Sequence, residues 1–410
     1  MRKYGLLAII FVAVFASCEK EDSNIIPKRN DIFLTRSQAD IMESGKAYAF
    51  DLFRIVVKDK GYGNVFLSPF SAQIANCMLA NGAAGETFDQ IVSVTGYDGY
   101  STEEINDAYN HLVNGLKKVD TSTDLYIANS LWLSKDHPIS DSFKTRVENG
   151  YDAHVGSLDF NSKNAGKTIN DWVSKNTKGN VTGILDNLNS KNGFVIVNAL
   201  YFKGKWKNKF ASDQTKKDSF YTLSGTRVNK KFMRGSQKLL YGETSDGHIS
   251  FCEIPYGNEA FVLDVVLPDT ETDFSRFVEG LSASEWDEMF TYKQKHTVNL
   301  TLPKFKLEMD LNLVDYQRSM GMILPYEDMD ADFSLLTSKG SKVQVTKQKA
   351  TVEVDENGTT AAAVVKHKGG DWNLLPGPAD LVEFKADHPF VFLIREITSD
   401  TILFIGTLTE

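Results

Sequence analysis

Residues 194–202 read Phe-Val-Ile-Val-Asn-Ala-Leu-Tyr-Phe, apolar at every position but Asn198. A strand with two apolar faces must be covered on both sides, so this run predicts a central strand buried within the molecule. Asn198 then needs a hydrogen-bond partner, because an unpaired amide in such a place costs about 1–3 kcal/mol. Further β-rich segments lie at 259–267, 296–302, 390–397 and 401–408. The front of the chain has a helical period instead: Ile41, Gly45, Tyr48, Leu52 and Ile55 recur at three- and four-residue steps. Ser37 is the expected cap of that helix and Gly61-Tyr62-Gly63 its stop. Mixed helical patterns run on to about residue 120. Helices ahead and strands behind predict an α+β architecture. A chain of 410 residues, 42% hydrophobic, buries a large core without a disulfide or metal staple. No internal repeat breaks it, and one continuous domain over 37–410 is expected.

The N-terminus carries an address. Arg2 and Lys3 precede an apolar run over 4–16, which ends at Ser17-Cys18. That is the layout of an export signal and is too short to span a membrane. A cysteine after the small residue resembles the bacterial lipoprotein signal. Residues 1–17 are thus expected to be removed, Cys18 lipidated, and the polar stretch 18–36 left as a tether. The acidic Glu19-Lys20-Glu21-Asp22 run resembles the signal that sends lipoproteins to the outer face of the outer membrane. A surface-exposed outer-membrane lipoprotein is expected, with a periplasmic or secreted protein as the alternative. Cys77 and Cys252 both sit in apolar surroundings and read as buried thiols, a bridge between them remaining open. No Cys-x-x-Cys or His-Glu-x-x-His spacing occurs, so neither zinc nor a cofactor is expected. A net charge of −9 argues against nucleic acid as partner.

Five separated segments share one further property. They are Asn64-Val-Phe-Leu-Ser-Pro-Phe-Ser71, Val197-Asn-Ala-Leu-Tyr-Phe-Lys-Gly-Lys-Trp206, Leu302-Pro-Lys-Phe305, Val352-Glu-Val-Asp-Glu-Asn-Gly-Thr359 running into Ala361–Ala363, and Ala386-Asp-His-Pro-Phe390 followed by Phe404-Ile-Gly406. In content and order they resemble the signature of the serpins, the serine protease inhibitor family. The resemblance implies a serpin fold, about nine helices around three β-sheets with an exposed reactive-centre loop, here about 356–385. It further implies that Ser68, Ser71 and Asn198 lie beneath the central sheet where its middle strands part. Trp206 would stand at the top, where the loop begins to enter, and Lys304 would pair with Glu356 at the loop's base. The chain departs from the family at Gln348, where a histidine is usual; glutamine still donates and accepts.

The loop can also be read physically. To become a new strand it must slide between two strands already paired, so bulk at its leading end hinders entry. After Glu356 the leading residues are Gly358, Thr359, Thr360, Ala361, Ala362 and Ala363, all small and uncharged, and no proline occurs before Leu375. Alternation puts Thr359, Ala361, Ala363, Val365 and His367 on one face and both Lys366 and Lys368 on the other, as one buried and one solvated face require. Such a hinge favours inhibition by loop insertion over a non-inhibitory binding or chaperone-like serpin. Family spacing from Glu356 implies a scissile bond at Trp372-Asn373. The stretch from there to Pro389 is long for the family, so Leu374, Leu375 and Lys368 stay open as the residue read. A bulky aromatic bait suits a chymotrypsin-like protease, elastase-like and papain-like enzymes remaining open. The protein is expected to act as a monomer, to touch membrane only through Cys18, and to supply no catalytic group. No Gly-x-Ser-x-Gly elbow is present to suggest a hydrolase.

Overall fold

The first helix starts two residues earlier than its spacing suggests, and the cap is Thr35, not Ser37. Thr35 accepts from the Gln38 amide while the Gln38 side chain returns a bond to the Thr35 amide. This reciprocal box satisfies two orphan donors, which a lone serine at 37 would not do. The computed structural model describes residues 27–185, 193–359 and 381–410. Within them the front half holds helices α1 (Arg36–Asp59), α2 (Pro69–Ala80), α3 (Gly85–Thr95), α4 (Thr102–Val119), α5 (Asp141–Tyr151) and α6 (Ala165–Asn176). Strands β1 (Val65–Leu67), β2 (Asp124–Ser134) and β3 (Ala153–Leu158) interrupt them. The next stretch is mostly strand: β4 (Phe194–Lys205), β5 (Lys216–Tyr221), β6 (Arg227–Glu243), β7 (Ile249–Pro255) and β8 (Phe261–Pro268). Helices α7 (Phe274–Gly280) and α8 (Ala283–Thr291) follow, then β9 (Gln294–Pro303), β10 (Phe305–Asn312) and α9 (Val314–Ser319). The chain closes with β11 (Val343–Asp355), β12 (Gly358–Thr359), β13 (Leu381–Lys385), β14 (Phe390–Glu396) and β15 (Thr401–Leu408).

These strands form two sheets. One runs β10-β11-β12-β4-β2-β3, and the other β1-β15-β14-β8-β7-β6-β9-β13 with β5 on β6. Strand β4 is the predicted central strand: residues 194–202 are all buried, antiparallel to β2 on one side and parallel to β11 on the other. Its alternate residues Phe194, Ile196, Leu200 and Phe202 enter the main core, while Val195, Val197, Ala199 and Tyr201 pack under α6. That division is why the run has no polar face. The strand expected at 259 begins at Phe261, since Glu259 has a left-handed backbone (φ 69°) and belongs to the turn before it.

Residues 27–35, expected as part of the tether, lie against the body. Ile32 is buried, and the Asn30 amide donates to the Val119 carbonyl at 3.2 Å. Three consecutive apolar residues, Ile32-Phe33-Leu34, carry no helical or alternating period, which is why sequence alone leaves the domain start at 37. Cys77 in α2 and Cys252 in β7 are both buried and unbridged, and burial pushes both thiols up, far from reactivity.

Candidate functional site

Four groups predicted from sequence meet at the lower end of an opening between β4 and β11. Pro69 fits the first turn of α2 and Ser68 caps it, its hydroxyl accepting from the Ser71 amide at 3.2 Å. Gln348 then clasps Ser68 from β11. The Ser68 amide donates to Gln348 Oε1 at 2.9 Å, and Gln348 Nε2 donates to the Ser68 carbonyl at 2.6 Å. Glutamine thus does both jobs at once and needs no titratable ring. Across the sheet Asn198 Nδ2 donates to Asn129 Oδ1 at 2.7 Å, and Asn129 Nδ2 donates to the Tyr151 carbonyl at 3.1 Å. All of these residues are buried. Ser71 is brought to the same place, but its hydroxyl has no hydrogen-bond partner. Asn198→Ala leaves Asn129 Oδ1 buried and unpaired. It should cost about 1–3 kcal/mol, read as a lower urea midpoint with unchanged slope.

Above this clasp the two strands separate. β4 and β11 are paired in parallel only up to Ala199 and Lys349. At the top a short antiparallel wedge fills the space: Thr359 pairs with Gly204 and Val354, and Gly358 with Lys205 and Asp355. Between clasp and wedge, residues 200–203 and 350–353 are not paired with each other, and this stretch is the slot between the two strands. Gly358 stands at φ 149°, and a Cβ there would lie 2.0 Å from the Gly204 carbonyl oxygen, so only glycine lets the wedge turn in.

The roof of the slot is aromatic. Trp206 stacks on Tyr256 with centroids 4.5 Å apart, and its indole N–H donates to the Asp355 carbonyl at 2.7 Å. Tyr256 in turn makes a short hydroxyl contact with Thr359. Lys304 pairs with Glu356 at 2.5 Å. Burial alone would push the Glu356 carboxyl up, but the Lys304 hydrogen bond and charge, with other bonds, hold it below its ordinary value of 4.5. A depressed carboxylate stabilises above the unfolded value and loses that contribution as pH falls through the folded one. The pair is half-exposed and worth about 1 kcal/mol or less. The thermal midpoint of Glu356→Gln should therefore lie below wild type at pH 7, and the two should converge below pH 4.5.

Sequence reading placed Ser68, Asn198, Gln348, Trp206, Lys304, Glu356, Gly358 and Thr359 in this region, and the structure brings them together along one slot. Thr360, Ala361, Ala362, Ala363, Lys368, Trp372, Asn373, Leu374, Leu375 and Cys18 lie outside the described residues. Two participants carried no sequence signal: Asn129 and Tyr256. Each acquires its role from a partner distant in the chain. Gly204 lay inside the Val197–Trp206 segment, but its role against Thr359 was not read from it. Among the described residues no cluster of His, Cys, Asp and Glu is arranged to hold a metal ion.

Known proteins share this arrangement. Residues 43–410 match the model of the family described as Serpin (serine protease inhibitor). The chain is 32% identical to the human leukocyte elastase inhibitor over 383 residues, 88% of this chain and 97% of that protein. It is 34% identical to Serpin-Z2A of Triticum aestivum, over 84% and 89% of the two chains. Its structure resembles that of a thermophilic serpin, tengpin, in the native state, with TM-score 0.82 and 26% identity over 94% of this chain and 97% of that one. Both the sequence signature and the slotted sheet therefore have one source: the chain belongs to the serpin family.

Proposed function

We propose that this serpin is a suicide inhibitor of serine proteases, with cysteine proteases as a second class of target. The observation that carries the reading is the wedge of Gly358-Thr359, already seated between β4 and β11 where their direct pairing has stopped. Loop insertion is an established mode in this family. Continuing the register of Thr359 sets 361 beside Phe202 and Val352, and 363 beside Leu200 and Ala350. Those four side chains already fill the main core, so the inserting residues must be small, and both are alanine. Residue 365 reaches the level of Asn198 and Gln348, where full insertion must part the paired strands and open the clasp.

The chemistry follows from the protease. Its serine Oγ attacks the bait carbonyl, the peptide C–N bond breaks, the new amine leaves with a proton, and an ester joins enzyme to inhibitor. The freed loop inserts and carries the tethered protease away before water cleaves the ester. This chain supplies bait and spring. Its bait bond is Trp372-Asn373, with Leu374, Leu375 or Lys368 as alternative bait residues, and a chymotrypsin-like enzyme is the preferred target. The similarity to a leukocyte elastase inhibitor supports inhibition. Cys18 places the inhibitor on the cell surface through a lipid anchor.

The test mixes the protein with chymotrypsin, elastase, trypsin and a papain-like enzyme, followed by denaturing gels and mass spectrometry of the released peptide. A denaturant-stable complex with a fragment beginning at Asn373 is expected. Cleavage in the loop with every protease left active would instead make the chain a non-inhibitory serpin.

A further inference from the structure

The segment before α1 reaches the roof of the slot. Asn30 closes the C-terminus of α4, its amide donating to the Val119 carbonyl at 3.2 Å and its Nδ2 to the Lys118 carbonyl at 3.0 Å. These are carbonyls that a helix end leaves without partners of its own. The Val119 carbonyl also accepts from Asn258 Nδ2 at 2.9 Å, and Asn258 lies in the turn between β7 and β8. Arg29 grips the same turn, its Nη1 donating to the Glu259 carbonyl at 3.2 Å while Asp31 holds the guanidinium at 2.5 Å. Ile32 then seats against Gly115 of α4, where a Cβ would lie 2.9 Å from it, and the Ile32 amide donates to Thr398 Oγ1 at 2.9 Å. Four residues thus tie α4, the β7–β8 turn and the β14–β15 turn to one another.

The gripped turn is the one that holds the wedge. Its first residue, Tyr256, stacks on Trp206 and touches Thr359. Its Gly257 amide donates to the carbonyl of Lys205, the last residue of β4, at 2.8 Å. Lys207, just beyond Trp206, pairs with Glu259. We infer that Arg29–Ile32 form a strap that fixes the β7–β8 turn and thereby holds Thr359 at the mouth of the slot, so that Arg29 and Asn30 are positioning residues for the onset of loop insertion. The timing part of this inference rests on the inhibitor reading; the bracing part does not.

Hydrogen–deuterium exchange on the full chain separates the two. In R29A/N30A the amides of Trp206 and Gly257, which bond to Asn357 and Lys205, should exchange about tenfold faster, as loss of a few bonds of ordinary net strength implies. R29K, which keeps a donor near Glu259, should stay close to wild type. K117A, which removes the nearby Lys117–Asp152 pair on α4 without touching the turn, should leave these amides unchanged. Spontaneous loss of complex-forming capacity on warming should also quicken about fivefold in R29A/N30A. Unchanged exchange at Trp206 and Gly257, or an equal rise in K117A, overturns the strap. The exchange result holds whether or not the wild type arrests a protease, so a failure of inhibition is read separately.

Discussion

Arginine in place of Thr359 should turn the protein from a trap into a substrate. Thr359 is buried between two strands, opposite Gly204 and Val354 and beneath the Tyr256 hydroxyl. Gly204 itself has no room for a Cβ, which would meet the Tyr256 ring at 2.7 Å. Thr359 is held there by strand pairing and the Tyr256 hydroxyl, so a guanidinium at 359 loses its hydration on entry, and an unpaired buried charge costs several kcal/mol. In the intact protein the wedge simply swings out, so folding and cleavage survive. Insertion after cleavage must bury the charge and slows accordingly. Each 1.4 kcal/mol on that step shifts its race against hydrolysis of the ester about tenfold. Thr359→Arg should therefore lower the yield of trapped protease by about a hundredfold or more while the loop is cut at the normal rate. Titration of residual protease activity against added variant measures this directly. Trapping near wild-type yield would show that the loop does not enter at Thr359.

Loss of the Arg395 guanidinium should be the largest single blow to stability. Arg395 on β14 is buried and reaches Asp264 on β8 at 3.0 Å, Glu253 on β7 at 2.8 Å and Asp400 at 2.8 Å. It lies over the Phe290 ring of α8 at 5.1 Å, and Lys293 adds a second cation to Glu253 at 3.2 Å. Burial drives the Asp264 carboxyl up to about 7, with Arg395 opposing that rise and Glu253 adding to it. Arg395→Met leaves three carboxylates around an apolar side chain. Breaking a buried pair in this way costs about 3–5 kcal/mol. For a chain of this size that is a fall of about 4–6 °C in the thermal midpoint. The pH dependence identifies the cause. A carboxyl raised in the folded state makes the native form the tighter proton binder, so its burden grows as pH rises from the ordinary value of 3.8 through the folded one. The deficit of Arg395→Met against wild type should be greatest at pH 8 and shrink by pH 5. A deficit independent of pH would assign the loss to packing against Phe290 and not to charge.

What the sequence made legible was local or strictly periodic. The two-faced apolar run at 194–202 gave the central strand and, with it, the need for an Asn198 partner. Ser68-Pro69 gave the capped start of α2. The partners themselves stayed hidden. Asn129 meets Asn198 across neighbouring strands of one sheet, and Tyr256 meets Thr359 where the two sheets approach, and no spacing along the chain encodes either contact. The Arg395 cluster joins β7, β8 and β14, whose acidic residues look in sequence like any others. The strap escaped because Ile32-Phe33-Leu34 is a short apolar run without helical or alternating period, and only the structure shows that Phe33 is exposed while Ile32 is buried. Its burial depends on a glycine at position 115, far along the chain.

If the protein traps proteases as proposed, its intact fold holds back a more stable one in which the loop has joined the sheet. Calorimetry of the intact protein and of protein cut once in the loop by a non-target protease tests this. Full insertion adds on the order of ten hydrogen bonds at about 0.5–1.5 kcal/mol each. The cleaved form should then melt about 6–18 °C higher, taking the usual entropy of unfolding per residue. Equal midpoints for the two forms would contradict the claim, because a loop that gains nothing on release has no means of dragging a protease.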